Sequence, residues 1–281
     1  MITHKTYLYH IRSLNDMFTL KDLLDSTNCQ DKRKEFFGEF NLELKNMKDI
    51  EIDYFDMSMI IKQEHVKPLV NVIQKYMFNI LGIHIPNLIV TAYTNVDELP
   101  LIHSMSIRMK KCCGVDVRGF YVPIEQIIYI RIGIHLKRLL PTLFHELTHA
   151  FIDQNNISLV DSWDKKPTGF DFESMMTNSS QEEGICELVS TIMCYHIFNC
   201  EQYPSNVDKY WLGWRLCIQS FIVFFEMLVK QTNNKDCVWL TKFSFGAIVQ
   251  HIKSTNNLYK FVSQVPKDAY HRTYGICGEL K

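Results

Sequence analysis

Apolar residues recur every third or fourth position over several stretches of this chain and cluster over shorter ones. Val66, Leu69, Val70, Ile73, Met77, Ile80 and Leu81 form a helical stripe that stops at Gly82, a residue suited to closing a helix. Leu140, Leu143, Phe144, Leu147, Ala150 and Phe151 form a second stripe. Pro141 is expected in that helix's first turn, where its missing N–H is not needed. A third stripe comprises Ile185, Leu188, Val189, Ile192 and Met193. The most apolar run, 216–229, contains Gln219, Ser220 and Glu226 and is flanked by Arg215 and Lys230. It is too short and too interrupted to span a bilayer, and reads as a buried helix. Residues 88–93, 118–122 and 126–132 read as strands, the last two joined by a turn at Pro123. The expected fold class is α+β: a small mixed sheet packed on the helix of the second stripe, then a mostly helical C-terminal half.

Two segments lack this regularity. Residues 1–60 are charge-rich, as in Asp31-Lys32-Arg33-Lys34-Glu35, with Phe36, Phe37 and Phe40 on an apolar side. They are expected to form a helical extension of two helices, with a short strand near 50–54, ahead of a main domain at 61–281. Residues 155–178 have little periodicity and include Trp163 and Phe170. A connection this long is often functional, and it is expected to line a cleft.

The second helix carries the chemistry. It contains His145-Glu146-Leu147-Thr148-His149. Positions i and i+4 share one helix face, so the two imidazoles lie side by side. Two neutral imidazoles and one further ligand leave an open position on zinc for water, and the carboxylate can take that water's proton. This H-E-x-x-H spacing is the zinc metallopeptidase signature. With 11 His in 281 residues, about 0.02 chance occurrences are expected, so accident is a poor explanation. Both histidines sit in a largely apolar helix, where buried polar groups need partners. Hydrogen-bonded core histidines are the bland alternative.

A third ligand should follow, and Glu182-Glu183-Gly184-Ile185-Cys186-Glu187 opens the third helix. Glu183 and Glu187 are i and i+4, which suggests Glu183 as ligand and Glu187 as the carboxylate that orients a histidine. Ser179…Glu182 and Ser180…Glu183 are also capping-box patterns that need no metal. Glu182 therefore stands as a helix cap or an alternative ligand. For a stabiliser of the developing oxyanion, Arg215, Tyr210, His196 and His271 are the candidates.

Composition narrows the partners. The net charge is −1 and the pI about 6.8. No overall basic field favours nucleic acid or a membrane surface, and neither partner is expected. Nine cysteines, an odd count, form no C-x-x-C pair. They read as buried thiols of a reducing compartment rather than a disulfide framework or a zinc ribbon. The first residues form no continuous apolar run, so a cytoplasmic location is expected.

These residues together resemble the peptidase domain of the plant LIM-domain-containing, ubiquitin-activated growth-regulating peptidases and their bacterial relatives. The collinear features are Gly82-Ile83-His84-Ile85-Pro86, Arg118-Gly119-Phe120-Tyr121 with Glu125-Gln126, Leu139-Leu140 leading to the H-E-x-x-H helix, Glu182-Glu183-Gly184-Ile185-Cys186, and Gly213-Trp214-Arg215. They cover roughly residues 65–255. The resemblance implies a zincin-like zinc endopeptidase of gluzincin type acting on protein substrates, several linked to ubiquitin. It carries His145, His149 and Glu183 as ligands and Glu146 as base. The chain departs from the family in having no LIM pair and no ubiquitin-interacting helix. It also has Glu187 where the family tends to have Gln. The rival expectation is a non-catalytic, zinc-stabilised interaction module, with Glu182 or Cys186 closing the metal shell.

Overall fold

The computed structural model describes residues 24, 32–48, 57–112, 116–157, 178–198 and 208–255. The described chain is α+β and mostly helical. In order it comprises α1 (Arg33–Lys48), α2 (Gln63–Leu81), β1 (Ile89–Tyr93), a single 3-10 turn (Val96–Glu98), α3 (Leu101–Cys112), β2 (Gly119–Val122), β3 (Ile127–Arg131), α4 (Leu136–Gln154), α5 (Asn178–Phe198), α6 (Asp208–Thr232) and α7 (Cys237–Thr255).

The first apolar stripe forms α2 and buries as expected, with Leu69, Ile73, Met77 and Ile80 at the centre of the core. Gly82 ends it in the left-handed region, at φ 74°. Its N–H donates to the Phe78 carbonyl at 2.9 Å, and that of Ile83 to Met77 at 3.3 Å. This paired closure needs a residue without a Cβ penalty. In the N-terminal region one helix, α1, is described where two were expected; the segment 50–54 lies outside the described residues. Phe36, Phe40 and Leu44 of α1 enter the same core cluster as α2 and α5.

The three strands form one sheet of order β1-β3-β2. β1 runs parallel to β3, with Ala92 opposite Ile130, and β2 runs antiparallel, with Gly119 opposite Ile130. The β2–β3 turn falls at Pro123 as read from the sequence. It uses Gln126 at φ 55°, closed by Glu125 N–H to the Val122 carbonyl at 3.2 Å. Alternation sorts the two faces. Val90, Ala92, Tyr121, Ile128 and Ile130 join the main core. Tyr93, Phe120, Val122, Ile127 and Tyr129 form a smaller one with Leu99 and Ile107.

Pro141 corrects one expectation. It is not in the first turn of α4 but six residues in. The helix starts earlier because its first N–H groups find acceptors: Leu136 donates to the Met59 carbonyl at 2.8 Å and Lys137 to Met57 at 2.9 Å. Orphan N–H groups limit where a helix can begin, and residues 57–59, remote in sequence, satisfy them. Leu136 and Leu139 are fully buried in consequence.

α5 is buried nearly all round. Besides the stripe read from the sequence, Cys186, Cys194, Ile197 and Phe198 are in the core. It packs on α4, α6 and α1, as the central helix of the C-terminal half.

Candidate functional site

α4 and α5 run antiparallel, and their facing side chains form a ladder. The Pro141 carbonyl accepts from Ser190 Oγ at 3.1 Å. One turn on, His145 meets Glu187 and Glu183. A turn further, His149 meets Glu183 and Glu182. Each member of the site comes from an i, i+4 pair, which an α-helix places on one face. The rings of His145 and His149 have centroids 4.9 Å apart, tilted by 67°.

Three atoms converge. His145 Nε2 lies 3.1 Å from His149 Nε2 and 3.0 Å from Glu183 Oε2, and His149 Nε2 lies 3.6 Å from the same oxygen. The other nitrogen of each ring points away, onto a different carboxylate. His145 Nδ1 is 3.3 Å from Glu187 Oε1, and His149 Nδ1 is 2.7 Å from Glu182 Oε1. Neutral rings that donate from Nδ1 to these carboxylates keep a lone pair on Nε2. In that form two lone pairs and a carboxylate oxygen face one another, a set that a cation matches; without a metal, the protonated rings turn the same contacts into hydrogen bonds to Glu183. In a tetrahedral site with bonds of 2.0–2.2 Å, ligand atoms lie about 3.3–3.6 Å apart, and the three distances, 3.0, 3.1 and 3.6 Å, lie within or a few tenths short of that span.

Cys186 is the fourth polar neighbour. His145, His149 and Cys186 present ligand atoms all within 4.8 Å of one another, and this group can hold a metal ion. Cys186 is fully buried. Burial pushes its thiol up to about 12, although His149 beside it pulls the other way.

The histidines and Glu183 set one another's charge. Burial disfavours the imidazolium, but hydrogen bonds to Glu183 and Glu187 outweigh it and lift His145 to about 9. His149 is likewise raised well above 6.5, with burial opposed by Cys186, Glu182 and Glu183. Burial of Glu183 works against its charge, yet the two histidines hold its carboxyl far below the usual range. The cluster is therefore strongly coupled and prefers opposite charges side by side.

Glu146 faces the sheet rather than α5. It is buried, at 8% exposure, and its neighbour is Gly119 of β2. A Cβ on Gly119 would stand 3.3 Å from Glu146 Cγ and 2.8 Å from Thr142 Cγ2. Glycine is thus what lets β2 lie this close to α4. Two residues on, Tyr121 Oη donates to Asp153 Oδ2 at 2.6 Å, which ties the same strand to the last turn of α4. Neither contact was legible beforehand. The one sequence signal is that 119 and 121 share a strand face.

The remaining predicted residues are not brought together with these. α5 opens at Asn178, ahead of Ser179 and Ser180, and both glutamates of the capping-box patterns turn to the histidines. His196 lies in the last turn of α5, fully buried, with Nε2 3.0 Å from Thr241 Oγ1 and 3.9 Å from Cys237 Sγ. It belongs to the α5–α7 core, not to the histidine pair. The side chains of Tyr210 and Arg215, the residue His271 and most of the 155–178 connection lie outside the described residues.

Compared with known proteins, the chain matches no family model, no curated protein and no solved structure.

Proposed function

We propose that this protein is a zinc-dependent endopeptidase with a zincin-like fold. The observation that carries the reading is the inward convergence of His145 Nε2, His149 Nε2 and Glu183 Oε2, with both Nδ1 atoms held from behind by carboxylates. In this reading those three atoms hold the ion, and Glu187 and Glu182 fix the two ring tautomers. Bound there, zinc would supply an acidified water and polarise the scissile carbonyl.

Glu146 follows His145 directly, and its burial against Gly119 favours a single position for the carboxylate. It accepts the proton of the attacking water and delivers it to the leaving amine nitrogen. β2 is an edge strand whose other side has no sheet partner among the described residues. An extended peptide adding to that edge would bring its backbone over Glu146, and backbone pairing would suit protein substrates of varied sequence. The resemblance to the ubiquitin-activated peptidases supports the same chemistry, with a ubiquitin-linked partner as its extension.

The test compares wild type with Glu146→Gln. Both should bind one zinc per chain by elemental analysis, and only wild type should cleave a peptide library. Equal cleavage by both would overturn the role of Glu146, and metal-free preparations from zinc-supplemented growth would overturn the site.

A second reading rests on Cys186. If its sulfur binds with the two histidines, the shell can close, as in structural zinc sites. The protein would then be an interaction module held together by zinc. The loss of zinc in Cys186→Ala, but not in Glu183→Gln, would favour it.

A further inference from the structure

Away from the histidines, α3 is amphipathic the wrong way round. At 3.6 residues per turn, Leu101, Met105, Met109 and Ile102 fall at about 0°, 40°, 80° and 100° around its axis. They are 74%, 55%, 70% and 73% exposed. The two residues that α3 buries are Ser104 and Ile107, at about 300° and 240°. The apolar stripe thus points straight away from the protein. Apolar residues scattered singly on a surface need no explanation, but a continuous stripe does.

Ile124, 98% exposed, stands at the tip of the β2–β3 turn. Its neighbour Glu125 accepts from His103 Nε2 at 2.9 Å and from Tyr129 Oη at 2.8 Å. Those bonds pin the tip to the first turn of α3, the turn that also carries Leu101 and Ile102. The charges around the stripe are of one sign within the helix. α3 carries Arg108, Lys110 and Lys111 and no acidic residue, in a chain of net charge −1. Arg108, which reaches Asp97, and Lys110 flank the stripe on either side, at about 340° and 180°.

We infer that α3 and the Ile124 tip form a docking surface for an anionic lipid membrane. An apolar stripe bordered by long cationic side chains is the composition of a helix that lies in the headgroup layer, and a protruding apolar turn beside it adds depth. Cations within reach of anionic headgroups strengthen such binding, each by about five-fold. The whole-chain charge gives no hint of this, because α3 carries only three of the chain's 30 cationic side chains, although it has no acidic one. No described helix is long and apolar enough to cross a membrane, so the contact is with the surface. The inference is independent of the metal site.

The test uses the full chain with vesicles of phosphatidylcholine alone or of equimolar phosphatidylcholine and phosphatidylserine. Wild type should co-sediment with the anionic vesicles and only weakly with the neutral ones. Arg108→Gln with Lys110→Gln, the two cations that flank the stripe, should weaken anionic binding by on the order of ten-fold or more. Ile102→Ser with Ile124→Ser should abolish it with every cation in place. Both pairs alter exposed side chains, and circular dichroism should match wild type. Failure of wild type to bind anionic vesicles overturns the inference, as does binding that survives the serine pair. A dimer by light scattering that the serine pair makes monomeric would assign the surface to a second copy of the chain and overturn it equally.

Discussion

The choice between Glu183 and Cys186 as third ligand is the sharpest question the site poses, and two substitutions separate the answers. Glu183→Gln keeps the shape of the side chain and removes its charge. In the proposed site this deletes one anionic donor, 3.0 Å from one Nε2 and 3.6 Å from the other. Structural zinc sites with four protein ligands bind with an apparent 10–16 kcal/mol, or about 3 kcal/mol per ligand, so zinc affinity should fall by about a hundred-fold. Cys186→Ala deletes a thiol whose proton burial holds to about 12, and should change affinity by less than ten-fold. Competition against a chromophoric chelator at neutral pH measures both. A larger loss in Cys186→Ala than in Glu183→Gln would refute the argument from converging lone pairs and establish the sulfur as ligand.

Three further outcomes follow from contacts of the same region. His145 is raised from 6.5 to about 9 without metal, so its contribution to stability is complete below about pH 6.5 and is lost as pH rises through about 9. The melting temperature of metal-free protein should fall across that window by an amount reflecting on the order of 3 kcal/mol, and a flat profile would contradict the charge pairing. Gly119→Ala places a Cβ 2.8 Å from Thr142 Cγ2. It should cost about 1–3 kcal/mol by overpacking, read by thermal unfolding. Thr142→Ser, which removes that methyl and keeps the hydroxyl, should recover part of the loss; no recovery would mean that the strand contact is misjudged. Tyr93 Oη is buried without a hydrogen-bond partner among the described residues, so Tyr93→Phe should leave stability unchanged or raise it by about 1 kcal/mol in denaturant unfolding. A loss above that would indicate an unseen partner.

What was legible in the sequence was whatever has a helical period and faces inward. α2, α4 and α5 announce themselves because their apolar positions are buried where the 3.6 period puts them. α3 was not legible as a core element for the converse reason: its apolar residues face water, and it buries a serine and one isoleucine. The start of α4 was misjudged because its first N–H groups bond to residues 57–59, a contact that no local signal encodes. His196 resembled a site residue only by type; Thr241, 45 positions later, claims its ring.

The two glutamates carry the same lesson into the site itself. In sequence, S-x-x-E at a helix start reads equally as a cap or as a ligand. The patterns differ physically in where the helix begins, since a cap requires the serine outside the helix and the glutamate in its first turn. With α5 opening at Asn178, Glu182 and Glu183 lie in the second turn, where no orphan N–H needs them. They are then free to turn toward α4. The antiparallel crossing decides the rest: Glu183 faces the gap between the histidines, and Glu182 and Glu187 flank it on opposite sides. One carboxylate thus points at the rings' inner nitrogens and two point at the outer ones. That division follows from helix register, so a one-residue shift of α5 would bring Gln181, Glu182 and Cys186 to the places of Glu182, Glu183 and Glu187 and remove both outer carboxylates.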